Sequence, residues 1–120
     1  LHCRVTLGLL GDRRAFGPGV AELLDGVRRH GSLQGAAREM AMSYSKAWTI
    51  MRNAEAIWGF PLIRRYVGGK DGGRSVLTRQ AEIILARYEQ MDEALHAMAD
   101  RQFQQWFNDD ELQKLQTMEG

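Results

Sequence analysis

Three observations predict the fold. Two short capped helices meet at a tight turn within residues 31–58, a glycine-rich basic hairpin follows within 62–78, and a long helix with a heptad seam begins near Arg79. Together they predict a mainly α chain with a small β component, a winged helix-turn-helix plus a long C-terminal dimerisation helix. The expected division is a winged helix-turn-helix over residues 1–78, then the long dimerisation helix and a short helical tail over 79–120.

Composition narrows the function. The chain has 120 residues, 44% of them hydrophobic, enough for one core. No apolar run approaches the roughly 20 residues of a membrane span. The opening Leu1-His2-Cys3-Arg4 lacks the charged start and long apolar stretch of a secretory signal, so a cytoplasmic location is expected. Cys3 is the sole cysteine and fits a reducing compartment. His2 and Cys3 are adjacent, so in a strand they would point to opposite faces, and no metal site is expected. The formal net charge of +1 conceals an asymmetry. Residues 38–79 carry eight basic and three acidic residues, whereas 80–120 carry three basic and nine acidic. A basic middle can face a polyanion while an acidic tail avoids it. Two ordinary solvated surfaces would give the same counts.

Residues 4–10 read as a strand and Gly11-Asp12-Arg13-Arg14 as a turn. A helix is expected to open near Gly17-Pro18, since proline is tolerated in a first turn. Val20, Leu23, Leu24 and Val27 give it one apolar face, Gly31 stops it, and Arg28, Arg29 and His30 suit its negative pole. Ser32 is the expected N-cap of the next helix, whose stripe is Leu33, Ala36, Ala37 and Met40. The small Ala36 and Ala37 allow two helices to approach closely. Ala41-Met42 makes the turn, and Ser43 caps a third helix over 44–58.

In that third helix Ala47, Trp48, Met51, Ala54, Ile57 and Trp58 are expected to face the core. Ser45, Lys46, Thr49, Arg52 and Asn53 fall opposite, and their hydroxyls, cations and amide suit phosphates and base edges. Alone, this would read as an amphipathic helix with a solvated face. The turn before it and the hairpin behind it favour groove binding. Gly59 and Pro61 end the helix, strands are expected over 62–67 and 75–78, and the tip between them offers Lys70 and Arg74 to phosphates. A surface loop with incidental charge is the plainer alternative. A nucleotide-binding loop fails on two counts: Arg64 stands where a glycine is needed, and Asp71 follows Lys70 where Ser or Thr is needed.

Thr78 should cap the long helix. Ile84, Tyr88, Met91, Leu95 and Met98 step by four, three, four and three, the spacing of a dimer seam. Packing against the chain's own first helix competes for the same face, and both can hold in different parts. Phe103, Trp106 and Phe107 could cap the seam or cover an end of the core. Asn108 and Glu111 resemble a capping box before a short last helix with Leu112, Leu115 and Met118.

Gly31-Ser32-Leu33, Ala36-Ala37, Met42-Ser43-Tyr44-Ser45-Lys46-Ala47-Trp48, Gly59-Phe60-Pro61-Leu62, Gly68-Gly69-Lys70 and Leu77-Thr78 together resemble the N-terminal DNA-binding domain of the ModE family. These are molybdate-responsive transcriptional regulators with a winged helix similar to that of LysR-type regulators. The resemblance implies a homodimer held by the first and last long helices on a two-fold symmetric operator. By matching position it puts Ser43, Tyr44, Ser45, Lys46, Thr49 and Arg52 in the recognition helix, and Lys70, Gly72 and Arg74 in the wing. Asp71 and Arg74 depart from the family's glycine run. The family's molybdate sensor is a separate C-terminal β-rich domain, and these 120 residues hold no such stretch. Molybdate sensing is therefore not carried over, and no cofactor is expected.

The expected function is a DNA-binding transcriptional regulator whose partners are double-stranded DNA and a second copy of the chain. The alternatives are a winged-helix module that binds protein through the long helix and aromatic tail without touching DNA, and a small oxyanion (molybdate) binder that uses the glycine-rich hairpin or the dimer interface. No catalytic residues are expected: the serines lack a histidine nearby in sequence, and the carboxylates cluster in the acidic tail.

Overall fold

The computed structural model describes residues 1–68 and 73–120. Its elements in order are β1 (Leu9–Leu10), β2 (Arg14–Phe16), α1 (Pro18–His30), α2 (Leu33–Glu39), α3 (Tyr44–Trp58), β3 (Ile63–Tyr66), β4 (Arg74–Leu77), α4 (Arg79–Trp106) and α5 (Asp109–Gln116). The expected class holds: mostly helix, with two small antiparallel hairpins.

The helix ends follow local chemistry. Ser32, Ser43, Thr78 and Asn108 each accept, through the side chain, the backbone N–H three residues on. Each bond satisfies a donor that the first helical turn leaves free. Gly31 and Gly59 close α1 and α3 in the left-handed region, at φ 71° and 84°, where a side chain would be strained.

The core lies where α1, α2 and α3 meet the start of α4. Phe16, Leu23, Leu24, Val27, Leu62 and Leu85 are its largest fully buried side chains. Burying each stabilises the fold by about 1.5–3 kcal/mol before entropy is counted. Around this core, three hydrogen bonds fix the elements. The Ser75 N–H donates to the Gly31 carbonyl at 2.7 Å, which joins β4 to the α1–α2 turn. The Thr78 hydroxyl donates to the Pro61 carbonyl at 2.8 Å while the same oxygen caps α4, linking that helix to the end of α3. The Glu55 carboxylate accepts the Leu62 N–H at 2.7 Å, which sets the direction of the chain leaving α3.

Three expectations are corrected. The strand over 4–10 is paired only at Leu9–Leu10, and its partner β2 begins at Arg14, within the stretch read as a turn. The register shifts within this hairpin, from Leu9 opposite Phe16 to Leu10 opposite Arg14. Such an extra residue carries no hydrophobic alternation for a sequence to reveal. Trp48 does not face the core; it is 47% exposed, because Ala47, Met51 and Ala54 hold the buried line and Trp48 sits 100° around the helix from Ala47.

The third correction concerns α4. Tyr88, read as part of a dimer seam, is 6% exposed and packs inside its own chain. Its ring lies 4.8 Å from that of Phe16, and its hydroxyl donates to the Leu7 carbonyl at 2.8 Å. Ile84 also packs on the core, whereas Leu95 is half-buried and Met91 and Met98 are 49% and 54% exposed. The heptad spacing is thus split between the chain's own core and an open stretch further along. At 28 residues α4 spans about 42 Å. It accounts for much of the chain's 71 Å length.

Candidate nucleic-acid interface

The turn between α2 and α3 is set by two local devices. Ala41 adopts φ 54°, the left-handed kink that reverses the chain. Ser43 then accepts the Lys46 N–H at 3.1 Å and starts α3. α3 packs on the core through Ala47, Met51 and Ala54. Helical spacing then forces Ser45, Lys46, Thr49 and Arg52 outward, and all four are exposed. Tyr44 and Trp48 are exposed beside them, and Arg52 stacks its guanidinium 5.2 Å from the Trp48 ring centre. That stack holds a mobile cation in place over an aromatic face. The Thr49 hydroxyl donates to the Ser45 carbonyl at 3.0 Å, so it faces outward mainly as an acceptor.

One flank of α3 is the β3–β4 hairpin. A cleft of about 280 Å³ runs between them, lined among others by Gly31, Tyr44, Trp48, Arg52, Arg65 and Ser75. Arg74 opens β4 opposite Tyr66. Lys70 and Gly72, expected in the wing, lie outside the described residues. The other flank is the β1–β2 turn, where Asn53 is half-buried and accepts a hydrogen bond from Arg13 at 2.9 Å. The structure therefore gathers Tyr44, Ser45, Lys46, Thr49 and Arg52 on one open face and leaves Asn53 at its edge. Ser43 acts as the helix cap.

Charge is distributed unevenly over this surface. The basic end of α1 is neutralised at home: Arg28 pairs with Asp25 and Glu82, and Arg29 and His30 both bond Glu39, at 2.7 and 3.0 Å. The Arg29 hydrogen bond, and then that of His30, hold the Glu39 carboxyl below its ordinary range. Among the described residues no carboxylate pairs with Lys46, Arg52, Arg64, Arg65 or Arg74. Lys46 and Arg52 stand on α3 itself and Arg65 lines the cleft beside it, where they can meet an anionic partner.

Sequence reasoning missed two contributors. Arg65 lines the cleft because β3 alternation turns it toward α3, a register visible only once β3 and β4 pair. Arg13 reaches α3 from 40 residues away, for which no local signal exists. Among the described residues no group of three potential metal ligands occurs, and no helix is long and apolar enough to cross a membrane.

Comparison with known proteins agrees with this geometry. The family described as "Bacterial regulatory helix-turn-helix protein, lysR family" matches residues 21–82, from α1 through the start of α4. The transcriptional regulator ModE of Haemophilus influenzae is 33% identical over 87 residues, covering 69% of this chain and 34% of that protein. The molybdenum-pterin-binding protein MopA of Rhodobacter capsulatus is 33% identical over 73 residues, covering 61% and 28%. The DNA-binding transcriptional dual regulator ModE of Escherichia coli K12 is 28% identical over 90 residues, covering 74% and 34%. The chain thus spans about a third of the length of the curated relatives it matches.

Proposed function

The chain belongs to the lysR family of bacterial regulatory helix-turn-helix proteins, and on that premise we propose that it is a sequence-specific DNA-binding transcriptional regulator, acting in the cytoplasm as a homodimer on a two-fold symmetric operator. The observation that carries this reading is the outward face of α3. Ser45, Lys46, Thr49 and Arg52 stand exposed there, and no described carboxylate pairs with the two cations. A 15-residue helix of this kind fits the major groove, with its first turns nearest the base edges.

In this reading Lys46 and Arg74 neutralise phosphates, and Lys70, which lies outside the described residues, is assigned the same role. Ser45, Thr49 and Arg52 read base edges. The stack on Trp48 presents Arg52 ready-oriented, which reduces the ordering it must undergo on binding. Met91, Leu95 and Met98 support the homodimer, since they line the part of α4 that the chain's own core leaves open.

The test is a gel-shift titration of the full chain against random duplex and a selected operator at two salt concentrations. Binding should weaken steeply with salt. Arg52→Ala should cost about 1–3 kcal/mol on the operator and relax the preference at one base pair per half-site. Absence of any salt-dependent shift would overturn the reading and favour a module that binds protein only.

A further inference from the structure

The β1–β2 turn lies outside both the helix-turn-helix and the wing, yet it is held tightly against α3. Gly11 approaches so closely that an added Cβ would sit 3.0 Å from Ile57 Cγ2. The Trp58 indole N–H donates to the Ala15 carbonyl at 2.8 Å, which fixes β2 to the same helix. Between these anchors the Gly11 N–H donates to the Arg13 carbonyl at 2.8 Å and closes the turn. Arg13 is therefore carried on a braced loop, and its side chain emerges beside the outward face of α3.

Arg13 then decides what Asn53 can recognise. A guanidinium only donates, so the Asn53 oxygen must face Arg13, as the 2.9 Å bond records. An asparagine that reads adenine needs both an acceptor for N6–H and a donor for N7. With its oxygen turned toward Arg13 and one lone pair engaged there, Asn53 is poorly placed to give adenine an acceptor, and the group it can offer without losing that bond is its N–H2. Arg13 is exposed, and a guanidinium has further N–H donors beyond the one that Asn53 accepts. Asp12, Ala56 and Ile57 complete the shallow groove, and Asp12 forms no ion pair with Arg13.

Resting on the DNA-binding reading above, we infer that Arg13 and Asn53 form a phosphate clamp on the flank of α3 opposite the wing. A guanidinium, which only donates, set beside an amide N–H2 suits a phosphate oxygen, which only accepts. Its place also fits: Asn53 lies at the edge of the outward face of α3, against the β1–β2 turn, on the side where a groove-bound helix faces the backbone. α3 is thereby gripped from both sides, by the wing on one strand and by this clamp on the other. Asn53 becomes a positioning contact that carries no base preference of its own.

The experiment compares the full chain with Arg13→Ala, Arg13→Lys and Asn53→Ala on the selected operator and on random duplex across a salt series. Arg13→Ala should weaken binding to both by roughly tenfold, and should reduce the slope of log K against log salt by about 0.9, one phosphate contact. Arg13→Lys should keep the slope. Asn53→Ala should weaken binding without changing the slope or the selected sequence, and should cost less when Arg13 is already alanine. Melting curves should show all three variants folded, since both side chains lie at the surface. An unchanged slope for Arg13→Ala overturns the clamp, as does a loss confined to the operator, which would make the pair a base reader. Failure of the unsubstituted chain to bind DNA at all would overturn the underlying reading and the clamp with it.

Discussion

Gly26 sits where α1 and α2 approach closely, and replacing it with alanine tests the packing directly. A Cβ built at Gly26 would lie 2.6 Å from the Ala36 Cβ and 2.9 Å from the Ala36 Cα. Carbon atoms prefer about 3.5–4.0 Å, so α1 and α2 must separate by about 1 Å. Neither Ala36 atom belongs to a flexible side chain, so backbone must move. Overpacking of this kind costs about 1–3 kcal/mol. Alanine returns about 1 kcal/mol in helix propensity. With backbone in the clash the upper end applies, and Gly26→Ala should destabilise the chain by about 2 kcal/mol. In urea the midpoint should fall by about 1 M with the slope unchanged. DNA affinity should fall too, because α2 supports the turn that aims α3. Ala36→Gly in the Gly26→Ala background should recover part of the loss, giving a coupling of about 0.5–3 kcal/mol. A Gly26→Ala variant as stable as the unsubstituted chain would refute the close approach of α1 and α2.

Other consequences follow from single bonds. Tyr88→Phe leaves the ring against Phe16 but removes the hydroxyl that the Leu7 carbonyl accepts, so it should cost about 0.5–1.5 kcal/mol in urea melts. The Arg29 and His30 hydrogen bonds lower the Glu39 pKa from its ordinary 4.5. Its contribution to stability is therefore present above that value and lost as pH falls through the folded-state value. Acid denaturation followed by circular dichroism should be shallower for Glu39→Gln, and equal curves would refute the contribution. His96 runs the other way. The hydrogen bond it donates to the Asp92 carbonyl raises its pKa above 6.5. Its contribution is present below that value and lost as pH rises through the folded-state one, and the imidazole NMR titration should show a midpoint above 6.5.

Much of the candidate site was legible before any coordinates, because it is built from contacts within one helical turn. Ser32, Ser43 and Thr78 each cap through a bond to the third residue on, and Gly31 and Gly59 close their helices through their own backbone freedom. The outward set Ser45, Lys46, Thr49 and Arg52 followed from periodicity alone, since a helix that buries Ala47, Met51 and Ala54 has no other place for them.

Tertiary structure decided what periodicity leaves ambiguous. A stripe of apolar residues states that a face is covered, not by what. Tyr88 met Phe16 and Leu7 of its own chain, while Met91 and Met98 on the same spacing stay about half exposed. Trp48 shows the converse: hydrophobic by composition, it lies outside because small Ala47 and Ala54 let the backbone of α3 sit close to the core. Gly26 against Ala36 and Arg13 against Asn53 are ten and forty residues apart, and no local propensity encodes either pairing. The sequence by itself thus determined where helices start and stop and which side of α3 faces outward, because those are short-range properties of caps and turns. Which partner covers each face, and which cations among the described residues pair with carboxylates, arise only when distant segments are brought within a few ångströms by the packed core.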